Sequence, residues 1–478
     1  MKSTPQHANP LASQVGRSMV WIALTLMLWV PNGSAQQSPI PYIGQNTGLG
    51  GFSYGPGIRL RSEENRGIKA GDFIFWPSLI IEGRWDSNVF QQTDCDSIDA
   101  QPGKECDEKP TDAPVMRIVP GFAFSNANPN KVAFQFGVES GARLYFSDVA
   151  QVKDQRNFDL KSDLKIDILP KGPVTVSIMD SFRRTLDTRN FSTKSNYNSN
   201  YNRAGAQVAI HPGGGALNVR LGYGYVFNFF DEFDKGEYQE HEFEFLTTWR
   251  FYPKTAAFLS ATGSMKDWDS SDSSTVVLND NKPLRVTAGL NGYFTKKIAA
   301  LLSVGYGAAF YEKGPDFEHV IGQAEMTYKI TPTILTAVGY RRNFSDSYYA
   351  NYYGDDSVYL RANMRFARRV GLTLLGSFHF LRYAELDPVL NEDLDTKYKA
   401  SVSQIERLDQ ALNLHAQVSV DITRWIGVSL GYELRAVFTD FVATYQALDG
   451  SGNPTGQFNS EYGQYIKHQV YGSINIRY

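Results

Sequence analysis

The stretch YGQYIKHQVYGSINIRY, residues 462–478, closes the chain and decides how the rest of it is read. Ile466, Val470, Gly472, Ile474, Ile476 and Tyr478 fall in one alternate row, interrupted by His468. Lys467, Gln469, Ser473, Asn475 and Arg477 fall in the other. A period of two puts successive side chains on opposite faces, so this is a strand with one apolar and one wet face. Soluble sandwiches rarely keep such alternation to the last residue, whereas a strand that faces lipid on one side and water on the other requires it.

The same pattern recurs upstream. In residues 158–167, Phe158, Leu160, Leu164 and Ile166 alternate with Asp159, Lys161, Asp163, Lys165 and Asp167. A helix would scatter those five charges around its circumference; a strand gathers them into one row. Alternation of this kind predicts strands near 72–86, 114–126, 130–146, 156–169, 173–185, 199–211, 216–230, 237–252, 255–266, 283–294, 297–311, 316–330, 333–345, 357–367, 370–384, 405–422, 425–440 and 462–478. Every second connection is tight, as at Pro170–Gly172, Pro253-Lys254 and Thr423-Arg424. The others are often long and polar, at 87–113, 186–198, 267–282, 346–356, 385–404 and 441–461. Short turns at one end and long loops at the other are the rule for a transmembrane antiparallel β-barrel of the outer membrane. The fold class is therefore all-β, about 18 strands over 70–478, and an even count returns both termini to the periplasm.

Composition agrees. The 30 Phe and 27 Tyr sit in a chain whose mean hydropathy is negative, as suits an apolar outer band around a polar lumen. One helix-length apolar run stands near the start: Lys2 and Arg17 precede Met19–Val30, and Gly33-Ser34-Ala35 follows. A charged region, a short apolar core and a small-residue cleavage site make residues 1–35 a signal peptide, too short for a permanent span. Its removal takes two cations and no acid, moving the net charge from −3 to −5, and no basic patch suggests nucleic acid. Residues 36–69 read as an irregular periplasmic segment. Cys95 and Cys106, the only two cysteines, lie in the first long loop of an exported chain and are expected to form a disulfide.

The wet rows predict the lumen. Acids (Glu82, Glu139, Asp159, Asp163, Glu433) and bases (Arg84, Arg117, Arg143, Lys161, Lys165, Lys467) are mixed there, which argues against strong charge selectivity. Tyr145, Tyr201, Tyr359, Tyr383, Tyr465 and Tyr471 share these rows. Their rings can stack on sugar faces while their hydroxyls stay wet, so with Asp159, Lys161, Asp163 and Lys165 they are the candidate glycan contacts. Solvated rim positions are the plainer account of several of them. Lys296, Lys297, Arg368, Arg369 and Arg424 form basic turns, read as solvated turn charges or as a rim for a periplasmic partner. No G-x-S-x-G and no Ser-His-acid grouping emerges, and no metal-ligand spacing, so the chain is read as neither an enzyme nor a cofactor carrier.

Two stretches carry a resemblance. GDFIFWPSLIIEGRWDSNVF (71–90) and GYRRNFSDS (339–347) resemble the outer-membrane porin-like barrels of bacterial exopolysaccharide and capsule clusters, over roughly residues 57–478. A final aromatic, Tyr478, is similar to the insertion signal of outer-membrane barrels, which the barrel-assembly machinery reads. The resemblance implies a conduit for a secreted polysaccharide, fed by a separate periplasmic polysaccharide export protein. The alternative is a general or solute-selective diffusion porin.

Overall fold

The computed structural model describes residues 67–95, 109–186, 198–212, 216–231, 236–269, 278–347, 350–367, 369–384, 398–402, 407–448 and 454–478. The expected signal peptide and most of segment 36–69 lie outside the described residues. Eighteen strands make a closed antiparallel barrel: β1 (Phe73–Asp86), β2 (Ala113–Asn126), β3 (Val132–Tyr145), β4 (Asn157–Ile168), β5 (Val174–Thr185), β6 (Ser199–Ile210), β7 (Leu217–Phe230), β8 (Tyr238–Tyr252), β9 (Thr255–Trp268), β10 (Asn281–Tyr293), β11 (Ile298–Tyr311), β12 (Phe317–Thr331), β13 (Ile334–Asp346), β14 (Tyr352–Phe366), β15 (Val370–Tyr383), β16 (Leu408–Asp421), β17 (Ile426–Phe438) and β18 (Tyr465–Arg477). Each pairs with its neighbours in sequence, and β18 closes the ring on β1 from Ser78↔Arg477 to Asp86↔Gln469. Closure satisfies the backbone groups along the wall, the condition for strands to cross a bilayer.

Burial follows the alternation read from the sequence. Phe158, Phe243, Val418 and Ile474 stand on the outside with roughly half of their surface exposed, and Phe134, Phe136, Leu160, Leu164, Ile166 and Phe245 share their rows. At the short-turn end of β1–β3, Phe73, Phe75, Phe122, Phe124, Phe134 and Phe136 form one aromatic sheet on this outer face, with ring centroids 5.0–6.4 Å apart. Near the long-loop end, outward tyrosines bond across to the next strand: Tyr223 to His241 Nδ1 (2.8 Å), Tyr225 to Gln239 Oε1 (2.6 Å) and Tyr432 to His468 Nδ1 (2.9 Å). Aromatic rings with a polar tip suit the level where hydrocarbon gives way to headgroups.

The structure departs from the sequence reading in the loops. A separate three-stranded sheet, Tyr398–Val402, Val442–Leu448 and Pro454–Tyr462, lies in segments expected to be irregular connections. These strands pair with one another and not with the barrel, so they have no lipid row to announce them. A helical turn, Ala150–Lys153, and a short strand, Ile68–Ala70, also escaped the period-two reading. The short strand turns through Gly71 (φ +59°) and pairs Ile68↔Phe75 and Ala70↔Phe73. It thereby prolongs the edge of β1 where β18 ends, the Tyr478 N–H donating to the Pro77 carbonyl at 3.1 Å.

Candidate lumen site

The long-loop end of the bore is built by strands that leave the wall. β12 and β13 pair from the turn only as far as Gly322↔Arg342, while β13 stays paired with β14 up to Asp346↔Tyr352. Past Arg342 the β13–β14 hairpin leans inward. Phe344, 1% exposed, stacks on Phe317 at 4.1 Å between centroids and packs on Ile321 and Ala309. Asp346 reaches Lys266 of β9 (2.6 Å) and accepts the Tyr311 hydroxyl of β11 (2.8 Å). Arg285 of β10 donates to the Phe344 carbonyl (3.0 Å) and lies 3.9 Å over its ring. At the tip, Asn351 donates to the carbonyls of Lys313 (2.8 Å) and Pro315 (3.0 Å) and accepts from Asn279 (3.0 Å).

Loop residues pack against the same inner rows elsewhere around the mouth. Val89 and Phe90 sit with Ala113, Val115, Tyr145 and Val152; Leu278 sits with Val226, Tyr238 and Trp268. Leu278 takes φ +56°. A left-handed backbone at a leucine costs about 1–2 kcal/mol, and burying its side chain returns about 1.5–3 kcal/mol, so packing holds the turn. Asn88 secures the first loop, donating to the carbonyls of Gln92 (2.7 Å) and Ile466 (3.2 Å).

The predicted lumen residues lie on the inner face, with different fates. Asp159 receives both Arg117 (2.7 Å) and Arg143 (3.2 Å), and Asp163 receives Arg183 (2.6 Å). Lys165 pairs with Asp167 (2.9 Å), and Lys161 stands opposite Glu139 in register. Tyr359 lies flat over Gly339, accepts from Gln323 (2.8 Å) and donates to Glu325 (2.7 Å). Tyr471 lies over Gly431 in the same manner, with the Arg84 guanidinium 4.8 Å from its ring centre. Tyr465 stands half-buried at the start of β18. Three of the tyrosines pack against loop residues at the mouth. Tyr145 packs with Val89, Phe90, Val115 and Val152 while its ring still borders a recess, and half-buried Tyr201 packs against Val226, Tyr238 and Trp268. Tyr383 packs on Ala350, Ala384 and Phe441, with Arg407 4.3 Å over its ring. Period two gives the face of a residue but not what a folded loop lays over it. Cys95 is disulfide-bonded; Cys106 lies outside the described residues.

The sequence reading missed a recess of about 160 Å³ in the inner wall, between β17, β18, β1, β2, β3 and the first loops. Arg84, Arg117, Arg143, Arg435 and Lys467 line it, with Glu82 and Asp86, and Val89, Val115, Tyr145 and Leu186 supply an apolar side. Arg435 shares its row with Glu433 and was legible by parity, yet nothing in the sequence set it apart from other inward charges.

The family model described as "Putative beta-barrel porin 2" matches residues 63–425. No curated protein matches the chain. Among solved structures it is similar to OccAB4 of Acinetobacter baumannii (8% identity, TM-score 0.44, covering 84% of this chain and 98% of that one). It is also similar to OccK2 (OpdF) of Pseudomonas aeruginosa in complex with glucuronate (10%, 0.44, 84% and 98%) and to a BenF-like porin of Pseudomonas fluorescens Pf-5 (10%, 0.44, 84% and 99%). Likeness at that level does not carry a solute from one barrel to another. The closed 18-stranded wall, its lipid-facing rows and a match over three quarters of the sequence agree, and the chain belongs to this family of outer-membrane β-barrel porins.

Proposed function

We propose that the barrel is a diffusion porin for small hydrophilic solutes. The observation that carries this reading is the inward β13–β14 hairpin, latched over the inner face of the adjoining β9, β10 and β11 through Asp346, Phe344 and Asn343. A hairpin held inside the mouth narrows the passage. Below it, charges of both signs are largely paired with one another, leaving a polar wall that offers many weak contacts, as rapid entry and exit require. A polymer conduit gains nothing from a fixed inward hairpin, so the polysaccharide export expected from the resemblance is set aside in favour of diffusion.

The test is permeation by size. Proteoliposomes containing the barrel should swell in small sugars and amino acids and stop swelling as solute size rises, and deletion of the gene should leave surface glycan intact. A deletion strain that lost a surface polysaccharide while keeping its small-solute permeability would restore the export reading.

A further inference from the structure

Most of the described charges around the recess are paired. Asp86 accepts Lys467 (2.8 Å) and Gln469 (2.6 Å). Glu82 (3.0 Å) and Glu433 (3.4 Å) answer Arg84, and Asp159 answers both Arg117 and Arg143. Arg435, directly opposite Lys467 in register, has no hydrogen bond or ion pair among the described residues. The carboxylate it feels, Glu433, is already engaged by Arg84 and lies 3.5 Å from His415. Among these described residues, Arg435 is the cation that makes no hydrogen bond or ion pair. Across the recess stand Val89, Val115 and Leu186 and the ring of Tyr145. The volume would hold roughly ten waters, enough for a small organic molecule.

From this juxtaposition we propose that the recess binds a small organic monocarboxylate, its carboxylate on Arg435 and its hydrocarbon body against the apolar side. A guanidinium offers a planar fork that matches a carboxylate. A single such fork calls for one carboxylate, and an inorganic anion would leave the apolar side unused. The inference rests on the porin reading, since it names the solute class that the barrel would take up.

The experiment is single-channel recording of the full barrel in planar bilayers, with benzoate added on the long-loop side. Benzoate should interrupt the current with saturating concentration dependence, benzamide and inorganic phosphate much less. Arg435→Gln should raise the half-blocking concentration about tenfold or more, Arg435→Lys should restore part of the effect, and Lys296→Gln, on an exposed turn, should change nothing. Equal block by benzamide, equal block by phosphate, or an Arg435→Gln barrel that still responds as the wild type would each overturn the proposal. A barrel that passes no ionic current fails the porin reading instead. Calorimetry of benzoate on the detergent-solubilised wild type and Arg435→Gln barrels then decides the recess alone, absence of binding or equal binding counting against it.

Discussion

Phe344→Ala tests the inward hairpin most directly. The side chain is 1% exposed and stacked on Phe317. Truncating a buried Phe costs about 3–5 kcal/mol, of which the ring pair accounts for about 0.5–1.5 kcal/mol. That loss falls on the docking of the hairpin against β12 and not on the wall, because the β13–β14 and β14–β15 hydrogen bonds do not involve the side chain. The remaining latch is polar. The Lys266–Asp346 pair, with Lys266 only 4% exposed, keeps its geometry only while water is excluded, and Phe344 helps to exclude it. The truncated hairpin should therefore leave its docked position for much of the time. Single-channel conductance should rise and become noisier, and proteoliposomes should swell in sugars too large for the wild type. The barrel should still show its heat-modifiable shift on gels. If Phe344→Ala folds and both conductance and the swelling size limit stay at wild-type values, the hairpin is not the constriction and the argument for a diffusion porin loses its main support.

Four other outcomes follow from the geometry. Gly431→Ala places a methyl where the Tyr471 ring lies, so Tyr471 should be pushed off the wall, and its fluorescence should become more accessible to a water-soluble quencher; an unchanged quenching constant would refute the packing. Leu164→Arg should cost about 2–4 kcal/mol in folding titrations in lipid vesicles, because that row faces hydrocarbon; a cost below 1 kcal/mol would put Leu164 outside the apolar band. Arg184 donates to Asp231, just beyond β7, at 2.6 Å and holds its carboxyl below the usual range. A depressed folded value means that the stabilisation is complete above about pH 4 and is lost as pH falls through the folded pKa. The Asp231 carboxyl ¹³C shift should titrate below the ordinary Asp range, and Arg184→Gln should return it there. Peptide mapping under non-reducing, thiol-blocked conditions should find Cys95 joined to Cys106, a link that constrains the unfolded chain by about 3 kcal/mol; two alkylated thiols would exclude it.

The wall of this barrel was legible because each of its strands faces two solvents at once. Lipid on one side and water on the other impose a strict period of two, and Asp159, Lys161, Asp163, Lys165 and Asp167 in a single row leave no other reading. The mouth was not legible, because nothing in a period tells where a pairing stops. Residues 339–345, GYRRNFS, alternate well enough to be taken as wall, yet β12 lets go of β13 after Arg342, and Phe344 turns to the core. The same limit hid the loop residues that pack against Tyr145, Tyr201 and Tyr383. It also hid Arg435, whose distinction is that its neighbours' carboxylates are already engaged elsewhere.

The seam between β1 and β18 dictates an order of assembly. Its partners, Ser78–Asp86 and Gln469–Arg477, stand at opposite ends of the described chain, so no other contact in the barrel spans more sequence, and contacts of that range form slowly. Every neighbouring hairpin can zip locally, but the ring cannot shut until the last strand has arrived. Until then the edge of β1 stands open, the kind of edge to which stray strands add. Ile68–Ala70, folded back on Phe73–Phe75 by the turn at Gly71, covers one end of that edge from within the same local stretch of chain. The remaining edge of β1, from Ser78 onward, is the length that β18 fills. A chain shortened by its final strand should therefore stall as an unclosed sheet, with its other hairpins already formed.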